Sequence, residues 1–288
     1  MRFSFSESMC DPKQLPILAV AAEEAGYSSF TVPDSIGYPE FSDTKYPFSA
    51  DGGREFLKGR PFIDPFILIG ALAAVTNRIH FLTFVVKLAV RQPVLVAKQA
   101  MSLAVLSDNR FRFGVGLSPW PEDFSATGVG WGGRGKRMDE MIEILRGLET
   151  GEFFEFYGKH FDLASIQLCP APTERIPILV GGHSEAALKR AARTGSGWIH
   201  AGGDESELIR TIDRLGALRE EFGMADQPFE IHAVSRDAYT PDGCRRLEAM
   251  GVTDVVVGVR NAYEPDTMTI DQKLEALKRF GENVIGAL

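Results

Sequence analysis

Apolar positions along this chain recur with two periods. Short apolar and β-branched runs at 2–7, 28–32, 79–86, 111–117, 176–180, 197–200, 229–234 and 254–259 predict strands. Longer stretches with helical spacing lie between them, at 11–25, 65–76, 93–106, 134–149, 184–194, 205–222, 241–250 and 270–280. Their ends carry the expected punctuation: Pro12 near one start, Gly26 just past one end, Pro93 at a first helical position. The 134–149 stretch places Met138, Met141, Ile142 and Leu145 on one face. Strands that are apolar almost throughout are buried on both faces, so their alternation with helices implies a parallel sheet covered on both sides. An open doubly wound sheet shares this local pattern. Eight strand–helix units in a chain of this length favour a closed (β/α)8 TIM barrel instead.

Two excursions interrupt the rhythm. Residues 35–63, after the second strand, are rich in Gly, Pro, Tyr and Asp, and are expected over the C-terminal face of the barrel. Residues 151–175, before the fifth strand, are expected to hold short strands around 153–156 and 161–168. No internal repeat or low-complexity tract is visible.

Composition narrows the function. Apolar residues make up 44% of the 288 positions, enough for a sizeable core. The balance of 31 basic against 39 acidic side chains, net −8, gives no nucleic-acid footprint. Cys10, Cys169 and Cys244 are far apart and odd in number, which disfavours a disulfide framework or a zinc knuckle. The first residues lack the apolar core of a signal peptide, and the most apolar stretch, 62–75, is too short to span a bilayer and contains Asp64 and Pro65. A soluble cytoplasmic protein is expected.

Few motifs carry chemistry. Gly130-Trp-Gly-Gly-Arg-Gly135 matches GxGxxG literally, but it follows a polar loop rather than a strand, so it reads as a loop before a helix. There is no P-loop, HExxH or GxSxG, and the histidines at 80, 160, 183, 200 and 232 are scattered, so no metal site is expected. The strongest local signal is Pro177-Ile-Leu-Val-Gly-Gly-His-Ser-Glu-Ala-Ala-Leu188. A buried strand runs into two glycines, a hydroxyl residue at an N-cap position and a helix. Free N–H groups at such a helix start attract an anion, and glycines let a phosphate approach the backbone. Glu185 adds one negative charge to that turn.

Three stretches together resemble the luciferase-like monooxygenase superfamily, and within it the oxidoreductases that use coenzyme F420. The first is Arg91-Gln-Pro-Val-Leu-Val-Ala-Lys-Gln-Ala100 with Leu106-Ser-Asp-Asn-Arg-Phe-Arg-Phe-Gly-Val-Gly116. The second is Arg134-Gly-Lys-Arg-Met-Asp-Glu-Met-Ile-Glu-Ile-Leu145. The third joins residues 176–188 to Ala191-Ala-Arg-Thr-Gly-Ser-Gly-Trp198. With residues 30–34 they cover most of the chain up to about residue 203; beyond it only the fold rhythm matches. The resemblance implies one barrel domain over 1–288, with a deazaflavin or flavin at the C-terminal strand ends. It assigns Asp34 to cofactor contact. It places Thr83 and Phe84 where the family carries a non-prolyl cis peptide supporting the ring. It gives Gly181, Gly182, His183 and Ser184 to the phosphate turn. A homodimer is also implied.

The chain departs from that pattern in two places. The family's Asp-His pair after the second strand is Asp34-Ser35 here, and the glutamate after the fourth strand in the sugar-phosphate dehydrogenases falls at Pro119. Sugar-phosphate oxidation is therefore not expected. Ser35, Ser118 and Trp120 are candidates for the substrate pocket. Glu7 and His200, at the ends of the first and sixth strands, are candidates for acid–base work. Arg236 and Arg260 are candidates for an anionic group. Three functions remain open: F420-dependent hydride transfer with a small organic substrate, FMN-dependent monooxygenation, and a non-catalytic cofactor-binding barrel.

Overall fold

A computed structural model of the chain describes residues 1–46 and 52–288. The first half runs β1 (Arg2–Ser6), α1 (Leu15–Glu24), β2 (Ser29–Val32), α2 (Pro65–Ala73), β3 (His80–Thr83), β4 (Val86–Lys87), α3 (Pro93–Leu106), β5 (Phe111–Gly116), α4 (Pro121–Ala126) and α5 (Arg134–Leu148). The second continues with β6 (Phe154–Tyr157), β7 (Asp162–Ile166), β8 (Ile178–Gly181), α6 (Glu185–Thr194), β9 (Gly197–Ile199), α7 (Glu205–Glu221), β10 (Glu230–Ala233), α8 (Pro241–Ala249), β11 (Asp254–Val257) and α9 (Ile270–Asn283). Helix starts follow local chemistry. The Asp64 side chain accepts from the N–H groups of Phe66 and Ile67 ahead of Pro65, and Thr269 forms a capping box with Gln272.

Strand pairing closes the barrel. Moving round it, β1, β2, β3, β5, β8, β9, β10 and β11 pair in parallel, and β11 returns to β1. The eight-stranded barrel read from the sequence is thus the fold. The third stave differs in detail. It is not continuous over 79–86: it breaks after Thr83 and resumes as β4, which pairs with β5. A cis peptide lies in the break, between Phe84 and Val85, one bond later than the Thr83–Phe84 position implied by resemblance.

Alternation along the strands divides two cores. Phe3, Phe5, Phe30, Phe81 and Phe113 belong to the large cluster shared with the helices. Leu82, Leu179 and Ile199 form a separate cluster, with Phe84 and Val85 packed on it. At the N-terminal end of the strands, Arg2, Arg112, Glu230, His232 and Asp254 make a charged layer. Arg2 reaches Asp254 at 2.7 Å, Arg112 pairs with Glu230, and His232 Nε2 lies 2.8 Å from Glu230. Burial works against an ionised Glu230, but His232 and Arg112 overcome it and hold its carboxyl well below the usual range.

The excursions have different roles. Residues 151–175 contain the antiparallel pair β6–β7. This hairpin is clamped on α5, where the Glu140 carboxylate accepts from the N–H groups of Lys159, His160 and Phe161 at 2.8 to 3.1 Å. The described part of 35–63 crosses the C-terminal face. No helix among the described residues is long and apolar enough to cross a membrane.

Candidate active site at the C-terminal face

The sequence candidates all follow C-terminal ends of barrel strands, but they fall into separate groups. Glycines shape the first. Thr83 donates its hydroxyl to the Gly114 carbonyl at 2.7 Å, and its own carbonyl oxygen would stand 1.8 Å from a Cβ on Gly114. Val85, at the break, packs over two further glycines: a Cβ would meet its methyls at 2.7 Å from Gly116 and 3.2 Å from Gly181. The backbone of the third stave therefore enters the barrel mouth only because β5 and β8 lack side chains there. The alternating glycines of Gly114-Val-Gly116 were the available signal for this.

Asp34 supports the same segment from the side. Its carboxylate accepts from Lys87 N–H at 2.9 Å and pairs with Arg91 at 2.9 Å. Both oxygens are thus engaged within the chain, and Asp34 anchors the stretch that follows the break. Ser35 is half-buried beside it.

At the end of β8, Gly182 has φ of +119°, a conformation that favours glycine. Ser184 caps α6, its hydroxyl accepting from Ala187 N–H at 3.3 Å. The N–H groups of Glu185 and Ala186 have no acceptor within the helix. Glu185 is drawn away from this turn by Arg214 on α7 at 2.5 Å and Lys189 at 3.5 Å, which also holds its carboxyl below the ordinary value. The negative charge seen in the sequence is therefore engaged by Arg214 and Lys189, and the N–H groups at this helix start are of the kind that take a phosphate.

His183 and His200 meet beside this turn. Their rings stack with centroids 5.1 Å apart and planes 7° apart, and Trp198 packs on both. His183 Nε2 accepts from Ala201 N–H at 3.2 Å, which leaves Nδ1 to donate to Glu207 at 3.1 Å. His200 is fully buried; the Val234 backbone offers it a weak hydrogen bond, and neither ring nitrogen has a well-formed one among the described residues. Burial, reinforced by His183, pushes its pKa down to about 4, so it is neutral at pH 7.

Glu7 is not a free acid or base. Arg260 holds it at 2.7 Å, Lys273 at 3.3 Å and Ser8 N–H at 2.9 Å. This also commits Arg260, whereas Arg236 is exposed with no ion pair among the described residues.

Trp120 is buried rather than lining an open wall. It lies between Lys87, 4.5 Å from its ring centre, and Arg54, 5.0 Å away. Lys87 pairs with Asp123 at 2.7 Å, and Ser118 donates to the same carboxylate while accepting from Trp120 N–H. Pro121 and the acidic pair Glu122–Asp123 begin a short helix, α4, where the sequence suggested only loop. Tyr46 packs 5.8 Å from Trp120, and Phe56 meets Tyr263 of the β11–α9 loop at 4.8 Å. The long β2–α2 segment thus reaches loops on opposite sides of the mouth, as its expected position over that face requires. Arg54, Lys87, Arg91, Glu207 and Tyr263 were missed by sequence reasoning, because each gains its role from partners distant in the chain.

One cluster has metal-ligand geometry. Glu230, His232 and Asp254 place ligand atoms within 4.8 Å of one another, but at the opposite end of the barrel. Arg2 and Arg112 already compensate the carboxylates, so the group fits a closed ion network.

The sequence profile described as luciferase-like monooxygenase matches residues 5–243. The chain belongs to that family. An uncharacterised protein of Mycobacterium tuberculosis is 56% identical over 287 residues, covering 99% of each chain. The F420-dependent glucose-6-phosphate dehydrogenase of Gordonia bronchialis is 27% identical over 258 residues, covering 85% of this chain and 70% of its own. Among solved structures, a monooxygenase from Streptomyces bottropensis superposes with a TM-score of 0.78 at 17% identity, covering 100% of this chain and 99% of that one. The chain is thus similar in sequence to an F420-dependent enzyme and in fold to a monooxygenase.

Proposed function

We propose that this luciferase-like protein is a cytoplasmic F420-dependent oxidoreductase acting on a small organic substrate. The observation that carries the reading is the turn at Gly181–Ser184: a glycine path for close approach, a capped helix start, and an acidic side chain turned away by Arg214. Gly182 and the first N–H groups of α6 would hold the cofactor phosphate. Val85, set on Gly116 and Gly181, would form the floor under a flat ring. The β2–α2 segment would exclude water from above. When bound, a deazaflavin supplies two-electron hydride chemistry, and the protein supplies orientation and a dry surround. The relationship to the Gordonia enzyme favours F420 over FMN, although the turn suits either phosphate. The reading includes a homodimer, which would cover apolar side chains exposed on the adjacent helices α2 and α3: Ile67, Leu95 and Leu106.

Fluorescence titration tests the cofactor. F420 is expected to bind at micromolar concentration or tighter. Its phosphate-free deazaflavin riboside should bind at least about tenfold more weakly, the loss of charge-assisted contacts at the turn. Gly182→Val, which places a side chain at positive φ within 3.0 Å of Ala187 Cβ, should abolish that difference. A preference for FMN would replace the reading with an oxygen-activating monooxygenase, and binding of neither with a non-catalytic barrel.

A further inference from the structure

The β2–α2 segment starts from Asp34, which follows β2, and ends at Asp64, the N-cap of α2. Its two feet are therefore carboxylates, and both meet one side chain. Arg91 Nη2 lies 2.9 Å from Asp34 Oδ1, and Arg91 Nη1 lies 3.5 Å from Asp64 Oδ2. Each carboxylate spends its other oxygen on backbone. Asp34 Oδ2 accepts from Lys87 N–H at 2.9 Å, and Asp64 Oδ1 accepts from Phe66 and Ile67 N–H at 2.9 and 3.3 Å. Among the described residues, Arg91 alone is shared between the two feet.

Arg91 also belongs to the stretch that follows Val85. Its N–H closes a turn on the Leu88 carbonyl at 3.0 Å. Arg137 of α5 donates to the Ala89 and Arg91 carbonyls at 2.9 and 3.4 Å. The stretch 87–91 is thus held by Asp34 and by α5. The two links of Arg91 differ in strength. The Asp34 side chain is only 2% exposed, whereas that of Asp64 is 34% exposed. Water screens the longer Asp64 link, so it is the weaker. A buried pair returns little net stability over a well-packed apolar substitute, so what the Asp34 link offers is a fixed geometry. Two separate carboxylates also suit a planar fork. Lysine keeps the charge but not the fork, and would stay with the buried partner.

We infer that Arg91 is a positioning residue for the cofactor site. Through Asp34 it fixes the stretch behind Val85, and through Asp64 it fixes the α2 end of the segment over the mouth. One guanidinium therefore sets the floor and the far foot of that segment together. The inference rests on the oxidoreductase reading for the ring on Val85, but the tie itself does not depend on it.

The test is hydrogen–deuterium exchange of the full-length protein, read in peptides covering 52–63 and 84–91, with stopped-flow release of F420. Both peptides hold protected amides: Leu57, Lys58 and Arg60 in the first, Lys87 and Arg91 in the second. Asp64→Asn keeps an N-cap and loses the charge that meets Arg91. It should raise exchange several-fold in 52–63, leave 84–91 at the wild-type level, and release F420 several-fold faster with the bound spectrum unchanged. Arg91→Lys should behave in the same way. Arg91→Met loses both links. Exchange should then rise in the two peptides together, and F420 affinity should fall at least about tenfold, the scale of one charge-assisted contact. If Arg91→Met does not fold, the other two variants decide. Wild-type exchange in 52–63 of Asp64→Asn overturns the inference. So does a rise of equal size in every peptide of the protein, which marks general destabilisation, or an Arg91→Lys variant that opens 84–91 as Arg91→Met does. Failure of the wild type to bind F420 would remove the cofactor reading, while the exchange pattern would still decide the tie.

Discussion

At the scale of single residues, His200 is the most exactingly placed group at the mouth. A neutral imidazole must bury one N–H and one lone pair, and here neither has a well-formed partner among the described residues. Its folded pKa of about 4 lies below the ordinary histidine value near 6.5. Between those values the unfolded chain binds the proton more strongly. Stability contributed by keeping this ring neutral is therefore complete above about pH 6.5 and is lost as pH falls toward 4. Thermal melts of wild type and His200→Gln should show it: the wild type is expected to lose melting temperature over that window, and the variant to lose distinctly less. Parallel curves would mean that the ring is protonated at no extra cost. The role of Asp34 shows where sequence reasoning stops. Its position at the end of the second strand was readable, but its engagement by Arg91, 57 residues away, was not.

Elements gave themselves up unevenly. All eight barrel strands were legible, because strands buried on both faces must be written in apolar and β-branched residues. The break in the third was not. Leu82-Thr-Phe-Val-Val86 is strand-forming throughout, and what divides it is the fit of Val85 onto glycines of two other strands. The short helix α4 was hidden by its length, although Pro121 and its acidic first turn were present. The glycine fit makes a graded prediction. Gly114→Ala would drive a methyl against the Thr83 carbonyl and should cost about 3 kcal/mol or more. Gly116→Ala meets a Val85 methyl at 2.7 Å and should cost less, and Gly181→Ala, at 3.2 Å, least. Denaturant midpoints of the three would test that order; an inverted order would show that the third stave yields where the contacts say it is fixed.

Across the whole molecule, the barrel separates stability from chemistry by its two ends. The N-terminal end is closed by the Arg2–Arg112–Glu230–His232–Asp254 layer, while the loops of the other end carry the turn, the stacked histidines and the aromatic cover. The outer surface adds a prediction about assembly. Ile67 and Leu106 are 70% and 75% exposed on helices that lie side by side. Sedimentation should find a dimer, and Ile67→Glu with Leu106→Glu a monomer; a wild-type monomer would remove the dimer from the proposed function. The cover over the mouth has a consequence in time rather than in space. Its rings and its Arg54–Glu122 pair tie one long loop to the loops after β5 and β11. If ligands enter past the Tyr46–Tyr263 contact, their arrival rates in stopped-flow mixing are expected to level off at high ligand concentration. Departure would then run at the same loop's pace, and the barrel would hold its occupant for as long as those contacts stay closed.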